Sequence, residues 1–102
     1  MRIIKKLCAM IDDEIDGAIT YAENAVLYKD DEPELARMFA ELADAELKHI
    51  SRLHEEVVEF IGKARDSGVA VPTGMMETYT YLHERHIERA NEVRNYLTQY
   101  RA

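Results

Sequence analysis

Glu46-x-x-His49 falls within a helical stripe of apolar residues, and an upstream stripe carries Glu14 at a matching position. A helix turns about 100° per residue, so Glu46 and His49 leave one face about 4.5 Å apart along the axis and can reach the same ion. Two carboxylates and an imidazole form a mixed oxygen and nitrogen donor set, which suits Fe(II), Mn(II) or Zn(II). On an apolar seam such groups need a cation, a proton or a hydrogen-bonding partner. In a chain with 20 acidic residues and four histidines the motif alone says little, so its placement has to carry the reading.

Three helices are expected to position these groups. In the first, over about 3–29, Leu7, Ile11, Glu14, Ala18, Tyr21, Ala25 and Tyr28 recur by threes and fours. Asp30-Asp31-Glu32-Pro33 ends it, because proline restricts the residue before it and suits the first turn of a new helix. The second, over about 33–65, reads Leu35, Phe39, Leu42, Glu46, His49, Leu53, Val57 and Phe60, and Ser67-Gly68 stops it. The third, over about 75–100, carries Met75, Tyr79, Leu82, His86, Ala90, Val93, Leu97 and Tyr100. Val69-Ala70-Val71, the one β-prone patch, is too short and too bounded by Gly and Pro to make a strand. In a hairpin turning near Asp31, Glu14 lies about 17 residues before the turn and Glu46 about 15 after it, which puts them at nearly one height. The fold class is therefore all-α, with residues 1–102 as a single domain.

At 47% hydrophobic and 32% charged, a chain of 102 residues builds only a modest core, and a partner chain would help it. The net charge of -7 argues against nucleic acid and anionic membrane surfaces as partners and in favour of cations. Cys8 is the single cysteine, so the chain forms no internal disulfide and offers no Cys-x-x-Cys pair for zinc or iron. No apolar run approaches the roughly 20 residues of a membrane span, and the first residues lack a signal-peptide pattern. A cytoplasmic location is expected.

Two stretches resemble the ferritin-like superfamily, specifically its rubrerythrin-like branch. Glu14-Ile-Asp-Gly-Ala-Ile-Thr-Tyr21 is similar to that family's first-helix Glu followed by small residues and Tyr. Phe39-Ala-Glu-Leu-Ala-Asp-Ala-Glu46-Leu-Lys-His49-Ile-Ser-Arg-Leu53 is similar to its second helix and is the more specific of the two. The resemblance implies Glu14 as a terminal carboxylate ligand, Glu46 as a carboxylate bridging two ions, His49 as a terminal nitrogen ligand and Tyr21 as a tyrosine just behind them. It also makes iron the favoured metal, with Mn or Zn as alternatives, and names no catalytic residue apart from the ligands. Full-length members carry a second helix pair with its own Glu and Glu-x-x-His, whereas the third helix here has His83-Glu84-Arg85-His86.

One chain thus holds half a site. A twofold dimer would complete a four-helix bundle around two iron ions per dimer, with the third helices packed outside. That half-length plan is similar to the encapsulated ferritins, without a cargo-targeting tail after Tyr100, and without the cysteines of a rubredoxin module. The implied activity is that of a ferroxidase or a peroxidase-type diiron oxidoreductase supplied with electrons by a separate donor. A contrasting expectation is a non-catalytic helical oligomer or adaptor whose polar layer only fixes register.

Other residues carry less. His83 and His86 form an i, i+3 imidazole pair able to bind a metal, although packing of His86 against the second helix is the plainer expectation. His54, beside Glu55 and Glu56, is expected in solvent. Tyr79, Tyr81, Tyr96 and Tyr100, with Met10, Met38, Met75 and Met76, read as core packing, and Cys8 has no acid-base partner.

Overall fold

The computed structural model describes residues 2–68 and 73–102, the side chain of Thr73 excepted. Three α-helices make up almost all of it: α1 (Arg2–Tyr28), α2 (Pro33–Asp66) and α3 (Thr73–Arg101). No strand occurs among the described residues, and the Val69-Ala70-Val71 patch lies outside them. No helix is long and apolar enough to cross a membrane.

The hairpin between α1 and α2 is built by local chemistry. The Glu32 amide donates back to the Tyr28 carbonyl at 2.9 Å, and Pro33 opens α2 where its missing N–H costs nothing. Glu32 occupies the cap position without capping through its side chain, so the acidic contribution to the first turn comes from Glu34. At the far end the Ser67 amide and hydroxyl satisfy the Lys63 and Ala64 carbonyls, at 3.0 and 2.9 Å. Gly68 then takes a φ of +74°, a left-handed conformation that side chains with a Cβ resist, and the helix stops.

α1 and α2 meet along a seam that changes character with height. Near the turn Ala18, Ala22 and Ala25 of α1 share the core with Ala40 and Ala43 of α2. Towards the open end the buried residues are larger: Ile4, Cys8, Ile11 and Ile15 against Ile50, Val57 and Ile61. Alanine lets helix backbones approach closely, and branched side chains fill the gap where they diverge.

α3 packs mainly on α1 and contributes Val93 and Leu97 to the core. It runs parallel to α1, because Lys29, just past the end of α1, donates to the oxygens of Gln99 and Ala102 at 3.3 and 2.6 Å. A cation there complements the negative end of α3. Arg101 also pairs with Asp44 of α2 at 2.8 Å. Tyr81, read from sequence as core, is 59% exposed, with the Arg85 guanidinium over its ring.

Burial, seconded by the nearby Asp12 charge, pushes the Cys8 thiol above its ordinary value. Only the thiolate attacks a disulfide reagent, so the native protein should react with one far more slowly than the urea-unfolded chain at the same pH. Thiol-exchange kinetics with and without urea check this, and equal rates would contradict the burial of Cys8.

Candidate metal centre

The core face of the hairpin is rotated from the stripe read from sequence and shares with it only Ile11, Ala18, Ala25 and Val57. In α1 the buried positions are Ile4, Cys8, Ile11, Ile15, Ala18, Ala22 and Ala25, whereas Leu7, Glu14, Tyr21 and Tyr28 are half-buried. In α2 they are Ala36, Ala40, Ala43, Ile50, Val57, Ile61 and Ala64, while Leu35 and Leu42 are exposed and Glu46, Leu53 and Phe60 half-buried. The expectation of a polar layer on a greasy seam is corrected accordingly: Glu14, Glu46 and His49 stand along one rim of the hairpin. Close packing of alanines is the physical reason, since it draws the core axis away from the larger residues that dominate a hydrophobicity pattern.

Along that rim the three groups come together. His49 Nδ1 lies 3.3 Å from a Glu14 carboxylate oxygen and 3.9 Å from one of Glu46. One donor atom from each of the three falls within 4.8 Å of the others. Side-chain exposure is 31% for Glu14, 22% for Glu46 and 58% for His49, so the carboxylates sit in the crease and the imidazole forms its outer wall. Glu14 and Glu46 do face each other at one height, as their distances from the turn predict. Gly17, one turn along α1, borders the crease: a Cβ there would stand 3.8 Å from a Glu46 oxygen, in ordinary van der Waals contact.

Tyr21 lies about 10 Å further along the axis than Glu14. There it stacks on Phe39, with centroids 6.3 Å apart, and Phe39 stacks in turn on Tyr28. It flanks the cluster on the side of the turn. Met10, Met38 and Leu42, taken from sequence as packing, are exposed on the same rim.

The opposite side of the hairpin belongs to α3. Asp12 and Asp16 each lie two residues from Glu14, a rotation of about 200°, and so point away from it. Asp12 accepts from His86 Nε2 at 2.8 Å and lies 3.7 Å from Arg89, which also pairs with Asp16. His86, buried, therefore engages α1 rather than α2. His83 stacks on His54, with centroids 4.3 Å apart and rings within 6° of parallel, and Tyr79 adds a further ring at 5.9 Å. Neither His83 nor His86 joins the carboxylates, and His54 is half-buried under His83 rather than in solvent. The Asp12/Asp16 and His86/Arg89 pairs, each at helical spacing and complementary as acceptors and donors, were a readable signal for this contact.

Glu14, Glu46 and His49 fit a divalent transition metal by their chemistry: acceptor-only carboxylates, an imidazole and a shared approach from one open side. Three donors leave coordination positions for ligands from elsewhere. Comparisons with protein families, with curated proteins and with solved structures give no match to this chain.

Proposed function

We propose that two copies of this chain pair through the open rim of the α1–α2 hairpin and hold a dinuclear centre, iron by preference, that reacts with oxygen or peroxide. This makes the protein a half-site member of the ferritin-like plan, with ferroxidase or peroxidase-type activity. The observation that carries the reading is the convergence of Glu14, Glu46 and His49 within 4.8 Å at one height of the hairpin. Their location supports pairing, because α3 covers the other side while this rim stays open and is flanked by exposed Met10, Leu35, Met38 and Leu42. An apolar strip around a polar centre is typical of an interaction surface.

Two copies of the set would supply four carboxylates and two imidazoles. In that arrangement Glu46, the least exposed of the three, would serve as the shared carboxylate, and Glu14 and His49 would serve as terminal ligands. Bound iron supplies the electrons that reduce oxygen or peroxide. The chain's own groups neutralise the charge of the ions and exclude bulk water by burying the rim against its copy. Electrons return from a separate donor, since Cys8 is buried and solitary.

An anaerobic Fe(II) titration of metal-free protein, read together with its mass in solution and followed by air, tests the proposal. About one iron per chain in an even-numbered oligomer, oxidised when air is admitted, is expected. A well-folded oligomer with no saturable binding would leave the polar cluster a structural role only.

A further inference from the structure

The ties of α3 are unevenly distributed. Along its middle and end they go to α1, through His86 to Asp12, Arg89 to Asp12 and Asp16, and the Lys29 contacts with Gln99 and Ala102. Its ties to α2 are sparse: Arg101 to Asp44 at one end and the His54–His83 stack towards the other. Between these two lies a groove of about 130 Å³, lined by Ile50, Ser51, His54, His83, His86 and Arg94 among others.

We propose that the His54–His83 stack is a proton-sensitive clasp, which holds the first half of α3 against α2 while both rings are neutral and releases it in mildly acidic conditions. Parallel neutral imidazoles attract through their faces, whereas two imidazolium rings at this separation repel. A shared metal ion fits the geometry less well, because imidazole lone pairs lie in the ring planes and in a parallel stack run side by side instead of converging.

Every packed element contributes to the charge balance. Burial, then His83, then His86 disfavour a proton on His54, and Glu55 on its own helix opposes them without prevailing, so His54 titrates below its ordinary value. Arg94 adds a further cation to the groove, and Tyr79 lies beside His83. From α1, Asp12 accepts from His86 and holds α3 on α1 apart from the clasp. The opened state, with its histidine in water, takes up the proton first. The clasp's contribution is therefore complete above about pH 6.5 and is lost as pH falls below it and through the depressed value of His54.

Hydrogen exchange over residues 74–84, corrected for the intrinsic effect of pH, tests this on the intact chain. Exchange should rise severalfold between pH 7.5 and 5.5, by at most about tenfold for each unit separating the open and closed pKa values. The rise should vanish in a His54→Phe/His83→Phe variant, which can stack but cannot titrate. No rise in the parent, or the same rise in the variant, overturns the proposal. A ring-proton titration of parent His54 serves if the variant fails to fold, since a midpoint at or above that of a histidine peptide also overturns it. None of these residues touches the carboxylate rim, so the outcome is independent of whether iron binds.

Discussion

Glu46→Ala should weaken Fe(II) binding by about 100-fold or more while leaving helix content and monomer stability within about 1 kcal/mol of the parent. The first magnitude follows from position: losing a group merely behind a ligand costs 10- to 100-fold in typical metal sites, and Glu46 offers its oxygens directly. The second follows from charge. Glu46 is the least exposed of the three groups and sits close to Glu14, so its removal eliminates a like-charge contact and leaves no buried partner without a hydrogen bond. His49→Ala should likewise abolish stoichiometric binding. Isothermal titration with Fe(II) under anaerobic conditions, beside a urea melt of each metal-free variant, separates the effects. If the polar cluster only fixes pairing, as buried polar groups do in coiled coils, parent and variant will bind iron equally poorly and differ in oligomeric state instead.

How much of this was legible depended on how local the determinant was. Pro33, Ser67 and Gly68 act on their own backbones, and they placed the hairpin and the end of α2 within a residue or two of the observed bounds. The common height of Glu14 and Glu46 needed only the turn position and a rise per residue. The core face is a property of two helices at once, and here the pattern misled. Alanine weighs little in a hydrophobicity count, yet Ala22, Ala36 and Ala43 are fully buried because close approach demands small side chains. Leu35 and Leu42 weigh heavily and are exposed. The His54–His83 stack was least accessible of all, because the register of α3 against α2 depends on a connection whose length does not dictate it.

Ile15→Ala isolates that rotated core. Ile15 is fully buried and among the largest side chains with no solvent contact, yet it lies off the stripe that the sequence suggests, next to Glu14. Cutting it back removes apolar surface and leaves a void that Ile50 and the other core residues of α2 near its height cannot fill without moving their helix. A cost of about 2–5 kcal/mol is therefore expected. Were the core to run through Glu14 instead, Ile15 would sit about 100° away near the surface and the change would fall within about 0.5 kcal/mol. Urea unfolding of metal-free protein, at concentrations spanning the monomer and any oligomer, distinguishes these values, because pairing would otherwise add its own free energy to both proteins. The same rotation decides the chemistry. With Ile15 sealing the seam, Glu14 and Glu46 are left at the rim, where the proposed pairing would bring in a second chain's ligands.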